Sequence, residues 1–380
     1  MRQEDYDRFD VPYDGLDSQE RERKSREGLG VRTVAAHAMF EAIAGDLSEE
    51  FFGIGWWAPH PDKHRRILIS DHLLLCAQGV EANIIEARLH LLELREARDK
   101  VATIMVNRVI AGPSGLPQII SHKRAGEELP SVMATLHLGG LLRAVGSALD
   151  CMAAVITGVT ALEMNILFAD FFRTLKSLQS IEPVGDASRE AQADIGSIIG
   201  RAIDTVGPPG WLAWTIGYRN MLVHRGRHLQ ITRLLPDLSP IVSPAGNPVV
   251  RTRPVVVLPS DPGRSEVEVL VDAPKHNFML TEDASVTVEG VYESTVQLVE
   301  LTSRALLQLW ARRKATPSFI FQPRKQWQRL PATEPCGFSG YAPKTVSMGR
   351  DAMHVNPLFG RRLMAAAISD GQRGEWDSND

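Results

Sequence analysis

Apolar residues recur along Ile67 to Ile110 at multiples of three or four positions, at Ile84, Leu91, Leu94, Val101 and Met105, in a stretch free of proline and rich in Leu, Ala, Glu and Arg. That period places them on one face of a helix, so the stretch predicts one long helix or two nearly collinear ones. Glycine and proline between Gly112 and Pro117 interrupt it. Helical patterning resumes over Ser131–Gly158, Leu162–Leu178 and Ser188–Val206. Pro208-Pro209-Gly210 then punctuates the chain, and a further helix is expected from about Trp211 to Gly226, a residue type suited to the left-handed position past a helix end. Beyond it the texture changes. Ile231–Leu235, Val249–Leu258, Val267–Val271 and Ser285–Val288 are short, β-branched and separated by Pro, Gly, Asn and Asp, which predicts hairpins rather than a parallel sheet. A last helix, Val291–Lys314, carries Val296, Val299, Leu301, Leu306, Leu307 and Trp310. The expected fold class is mainly α: a helical body over 31–314 with a small antiparallel β-hairpin insertion at 231–288.

Charge refines that division at both ends. Residues 1–20 hold seven acidic side chains against Arg2 and Arg8, a net charge of -5, which predicts a disordered acidic arm over 1–30. From Arg304 to Arg362, eleven Lys or Arg face only Glu334 and Asp351, a net charge of +9, interleaved with Trp310, Phe319, Phe321, Trp327, Phe338, Tyr341 and Phe359. Cations among aromatics suit single-stranded nucleic acid. The competing reading is an irregular tail, 315–380, that wraps the core and leaves its charges in water; Arg312, Arg313 and Lys314 in particular suit a helix C-terminus electrostatically. The whole chain is 380 residues, 44% apolar, with a net charge of only -4, so it is large enough for a substantial core and is not a bulk nucleic-acid coat. Three widely spaced cysteines, Cys76, Cys151 and Cys336, encode no disulfide framework and no zinc pattern, which fits a reducing cytoplasm. The polar, acidic start lacks a signal-peptide pattern, and the longest weakly charged run, Cys151–Leu162, is too short to span a bilayer, so no membrane partner is expected.

Polar chemistry concentrates in the helix that opens at Trp211. Arg219, Asn220 and His224 interrupt the otherwise apolar run around Trp214, Tyr218, Met221 and Leu222. Burying an arginine or an unpaired imidazole there costs several kcal/mol unless each meets a partner or a wet cleft. At about 100° per residue, Trp211, Trp214, Tyr218, Met221 and Leu222 form one apolar face and Leu212, Ile216 and Val223 a second. Gly217, Asn220, His224 and Arg227 lie between them as a polar slot, with Arg219 about 140° from His224. Arg219 therefore reaches that point by its long side chain or works with a residue of another helix or subunit.

Arg219-Asn220 followed by His224 resembles the ribonuclease motif of the HEPN superfamily. The residues between His137 and Asp150 also resemble the polar-striped helix that accompanies it. The motif covers six residues and the compatible helical context Ser131–Lys314. Arg32 and His37 repeat the spacing, but Thr33 stands where the motif has Asn. The resemblance implies a HEPN-like bundle of long antiparallel helices, a homodimer with a composite site, RNA as partner, no metal and no cofactor, and a toxin or defence role in the cytoplasm with an antitoxin or regulatory protein as a further partner. In that site His224 is the general base or acid, Arg219 stabilises charge on the phosphorane-like transition state, and Asn220 orients the His or the phosphate. Arg225, Arg227 and His228 are candidate phosphate contacts at the rim, or simply helix-end cations. Arg143, Ser147 and Asp150 share one helix face; Asp150 is a candidate partner of His224 or Arg219, and the alternative for Arg143 is a local ion pair. The alternative function is a non-catalytic HEPN-like module that binds RNA, a nucleotide or a protein. His60, His64, Asp71 and His72 lack a regular ligand pattern, so no metal site is expected. No acyl-enzyme signature is present.

Overall fold

The computed structural model describes residues 33–47, 63–111, 117–119, 126–182, 187–224, 231–242, 248–257 and 284–316, of which 63–69, 109–111, 117–119, 223–224 and both segments between 231 and 257 are described by their backbone alone. The acidic arm at 1–30, the tail from 317 onward, Val267–Val271, Arg225, Gly226, Arg227 and His228 lie outside the described residues.

Described residues are mainly α-helical, in seven helices: α1 Val34–Asp46, α2 Lys63–Val106, α3 Leu129–Thr160, α4 Phe171–Gln179, α5 Ala187–Val206, α6 Trp211–His224 and α7 Ala284–Ala315. Two short strands, β1 Val109–Ala111 and β2 Pro117–Ile119, pair antiparallel after α2. Between α6 and α7 the backbone of β3, Ile231–Val242, pairs antiparallel with β4, Pro248–Val257, from Ile231 opposite Val257 to Val242 opposite Pro248.

The long proline-free stretch is one helix. In α2, Leu73, Ala77, Val80, Ile84, Ala87, Leu91 and Leu94 are buried, alternating steps of four and three. That is the seam of a helix buried along one line, as in a coiled coil. The expected face was right at Ile84, Leu91 and Leu94, whereas Val101 and Met105 are only half-buried.

Two sequence expectations fail. Leu162–Leu178 is not one helix but a 3-10 turn, Ile166–Phe168, followed by α4. Asn165 and Asp170 break it, for each turns its side-chain oxygen to a backbone N–H, that of Leu167 at 3.1 Å and of Arg173 at 2.9 Å, which is what a helix-starting residue does. Ser285–Val288, expected as a strand, opens α7 as helix, because Ala284, Val288 and Val291 are buried at helical spacing and that burial outweighs the β preference of the Val-Thr-Val run.

The chain divides into two compact units, and the division falls within α2, α3, α5 and α7 and after the first residue of α1. Unit 1 comprises Met1–Val34, Gly79–Leu149 and Ile199–Leu301. Within it, Glu86 meets Arg143 at 3.2 Å and His90 meets His137 at 3.0 Å, so α2 and α3 run antiparallel. Arg95 meets Glu289 at 2.6 Å and Arg98 meets Ser285 at 2.9 Å, so α2 and α7 do too. The buried Thr33 hydroxyl donates to Glu81 at 2.8 Å.

Unit 2 comprises Ala35–Gln78, Asp150–Ile198 and Thr302–Asp380. Its α3 segment ends with Ala161 at φ 50, the left-handed position usually given to glycine, while Leu162 N–H donates to Thr157 at 3.1 Å and Ala161 N–H to Gly158 at 3.4 Å. This is the paired closing pattern of a helix C-terminus. Arg313 of α7 donates to the Gly158 carbonyl at 2.9 Å and to that of Val159, and Gln192 of α5 donates to Thr160 at 2.8 Å. Burial lowers the Arg313 pKa to about 10. Asp46 of α1 accepts from the Trp310 indole at 2.8 Å and pairs with Lys314. Arg313 is thus committed inside the fold rather than offered to nucleic acid, which removes one cation from the expected basic surface, whereas Lys314 stays exposed in its pair with Asp46.

Helix α3 corrects another expectation. It is long and apolar enough to cross a membrane, unlike the shorter run read from sequence, and 78% of its most apolar window is buried against the protein itself. Its hydrophobicity therefore serves packing.

Candidate functional site

Helix α6 is launched by a sharp turn. Gly210 has φ 81, a conformation that glycine adopts without a Cβ penalty, and Trp211 N–H donates back to Pro208 at 3.1 Å. The Trp211 indole then lies against Gly207, where a Cβ would come within 2.6 Å of the ring, and its N–H donates to the Ile203 carbonyl of α5 at 3.0 Å. These contacts fix the direction in which the motif residues leave. Ser294 of α7 donates to the Val206 carbonyl at 2.7 Å and satisfies one of the open carbonyls at the end of α5.

The burial around α6 differs from the two-faced packing expected. Trp211, Leu212, Thr215, Tyr218 and Met221 are buried, Trp214, Ile216, Arg219 and Leu222 are half-buried, and Ala213 and Asn220 are exposed. One broad side is packed, and the other meets solvent. Trp214 stacks on Tyr218 with ring centroids 5.1 Å apart. Burial pushes the Tyr218 hydroxyl up to about 12, against a smaller opposing effect of Arg98, so it stays protonated at neutral pH.

Arg219 is brought to α3. A Cβ on Gly146 would lie 2.5 Å from Arg219 Cδ, 2.6 Å from Nε and 2.9 Å from Cζ, so the arginine lies across the glycine where any side chain would collide with it. Asn220, by contrast, is exposed. His224 is the last residue of α6 and is described by its backbone; its position is about 40° around the helix from Asn220 and about 140° from Arg219. The motif's Arg and Asn therefore leave α6 in different directions.

The supporting residues also separate. Arg143 is exposed and pairs with a carboxylate, but that of Glu86 on α2 rather than one local to its own helix. Ser147 and Asp150 are half-buried on the same helix, with Ser147 in unit 1 and Asp150 in unit 2. Arg225, Arg227 and His228 lie outside the described residues, as do Arg32 of the second Arg–His spacing and His60; the His64 side chain is likewise not described. His37 faces Glu41 one turn on at 3.9 Å. Among the described residues no group of three His, Cys, Asp or Glu could hold a metal ion.

Sequence reasoning missed a polar cluster in unit 1. His90 Nδ1 lies 3.0 Å from His137 Nδ1, His90 Nε2 lies 3.6 Å from Glu86, and Arg143 completes the group. Gly140 makes room, since a Cβ there would come within 2.4 Å of the His90 ring. One hydrogen must lie between the two Nδ1 atoms. With His90 Nε2–H turned to Glu86, His137 donates through Nδ1 and its buried, unpartnered Nε2 is left as a bare acceptor. Burial, then His137 and Arg143, lower the His90 pKa, with Glu86 opposing. The available signal was the one-turn spacing of Glu86 and His90; its partner stands 47 positions away.

Comparison of the chain with protein-family models, with curated proteins and with solved structures gave no match.

Proposed function

We propose that this chain is a HEPN-type, metal-independent endoribonuclease that acts as a homodimer in the cytoplasm, in a toxin or defence role, with the helices forming a HEPN-like bundle and the β3–β4 hairpin inserted as a recognition element. The observation that carries this reading is the seat of Arg219 on Gly146. It joins the two segments that resemble the family, the motif helix and the His137–Asp150 helix, at the motif's own arginine.

In the proposed reaction His224 takes the proton of a ribose 2′-hydroxyl, the 2′-oxygen attacks the adjacent phosphorus, and the 5′-oxygen leaves with a proton from the partner subunit's His224. Arg219 offsets the charge that builds on the phosphoryl oxygens. An imidazole near its ordinary value of about 6.5 suits both proton transfers at neutral pH. The products are a 2′,3′-cyclic phosphate and a 5′-hydroxyl. Arg225, Arg227 and His228 follow in sequence as the proposed phosphate contacts, and an antitoxin or other regulatory protein is the proposed brake.

The divergence of half-buried Arg219 and exposed Asn220 favours a second reading, a non-catalytic module that binds RNA, a nucleotide or a protein. End-labelled RNA incubated in EDTA with wild type and with His224→Ala, matched in fold and oligomeric state, separates the two. Cleavage confined to wild type and ending in cyclic phosphate supports the nuclease. Binding without cleavage by both supports the module.

A further inference from the structure

Two imidazoles on antiparallel helices meet head to head in unit 1. His90 Nδ1 of α2 lies 3.0 Å from His137 Nδ1 of α3, with ring centroids 5.3 Å apart and ring planes at 53°. Both residues are half-buried, and His137 Nε2 is buried with no partner among the described residues. The His90 ring cannot shift closer to α3, because it already fills the space that a Cβ on Gly140 would need. Among the described residues the charged groups that face His90 are Glu86 on its own helix, 3.6 Å from Nε2, and Arg143 on α3, which draws on the same carboxylate at 3.2 Å.

This geometry accepts the ring hydrogens of two neutral imidazoles and no more. One lies between the Nδ1 atoms and the other sits on His90 Nε2, toward Glu86. With the contact kept, an added hydrogen has only His137 Nε2 to go to, where it is buried and unpaired beside a new positive charge. Moving the shared hydrogen from one Nδ1 to the other does not relieve this. A buried donor without an acceptor retains its desolvation cost, and the Arg143 guanidinium repels the charge. A second added hydrogen sets N–H against N–H across 3.0 Å. Burial, then the charge of His137, accordingly hold the His90 pKa below its ordinary value. Turning the rings apart into water removes both conflicts.

We propose that the His90–His137 contact is a proton-operated latch between α2 and α3, closed while both imidazoles are neutral and opened when the pair takes up a proton. In the same unit, α3 carries Gly146, the seat of Arg219. On the nuclease reading, acid opening therefore also loosens that seat. The latch itself does not depend on that reading, and its test does not read cleavage.

The test follows backbone hydrogen exchange by mass spectrometry in the full chain at pH 7.5 and 5.5, with protection corrected for the intrinsic rate at each pH. Protection of the α2 and α3 segments around His90 and His137 is expected to fall by about tenfold at the lower pH. That is the shift for a contact that excludes one proton, about one pH unit below the ordinary imidazole value of about 6.5. The unit 2 portion of α5, residues 187–198, is expected to keep its protection. The double variant His90→Gln, His137→Gln is expected to lose the pH dependence. Ring-nitrogen shifts of labelled histidine in the wild-type chain, which do not depend on how that variant folds, are expected to show the pair taking up a proton over the same pH range. Unchanged protection around the wild-type pair, an equal loss in α5, the wild-type pH dependence in a folded double variant, or loss of protection while both rings stay neutral would overturn the proposal.

Discussion

Two arginines show how differently the same side chain is used in the two units. In unit 2, Arg313 is 2% exposed, donates to the Gly158 and Val159 carbonyls and so completes the end of α3. In unit 1, Arg219 lies half-buried across a glycine that any side chain would obstruct. Arg313 closes a hydrogen-bonding requirement that the helix itself creates. At Arg219 the neighbouring helix instead carries a glycine where a side chain would collide with the arginine. A cation near a helix end is thus told apart by what it touches, not by its place in the sequence.

Removing each arginine should sharpen that contrast. Arg313→Met leaves buried carbonyls without donors and is expected to cost about 3 kcal/mol or more in urea unfolding, since a buried polar group stripped of its partner retains its full desolvation cost. A loss below about 1 kcal/mol would reduce Arg313 to an ordinary helix-end cation. On the proposed nuclease reading, Arg219→Ala is expected to change stability by less than about 1 kcal/mol yet to slow RNA cleavage by about 10²- to 10³-fold, the size of loss that follows removal of a transition-state charge contact. Unfolding as severe as that of Arg313→Met would assign Arg219 to the scaffold.

Smaller effects test the local geometry of each unit. Ala161→Gly, at φ 50, relieves a left-handed alanine and is expected to stabilise the chain by up to about 1 kcal/mol in the same unfolding experiment. Unchanged or reduced stability would mean that the α3 terminus does not close as described. The His90–His137 pair should impose a pH dependence. The His90 pKa is lowered on folding, so the neutral His90 ring contributes fully above the unfolded value of about 6.5, and that contribution is lost as pH falls below it. Unfolding free energies at pH 7.5 and 5.5 should therefore differ more for wild type than for His90→Gln; equal differences would contradict the pair.

Much of the helical architecture was legible because it rests on local rules. The absence of proline between Ile67 and Ile110 pointed to one long helix or two nearly collinear ones, of which the structure has one, ending at Val106, and Pro208-Pro209-Gly210 placed the start of α6 near Trp211. The break at Asn165 and Asp170 was also written in the chain, but the apolar run Ile166-Leu167-Phe168 hid it under a helical period. Ser285–Val288 misled for the opposite reason: β-branched residues promise a strand until tertiary burial decides otherwise. The site was less legible. The motif named Arg219, but nothing local pointed to Gly146 as its seat, and His137 as the partner of His90 and Gly158 and Val159 as the partners of Arg313 lie many turns of chain away, where sequence spacing carries no distance.

The most direct test of the central claim is the rate of RNA cleavage in EDTA by Gly146→Ala against wild type, with both shown to be equally folded. An added methyl at that position must push Arg219 aside by roughly 1 Å, and displacement of that size at a reacting group costs up to about 10²-fold. The account predicts a loss approaching that size, with unchanged cyclic-phosphate products. Cleavage by Gly146→Ala at the wild-type rate would contradict it.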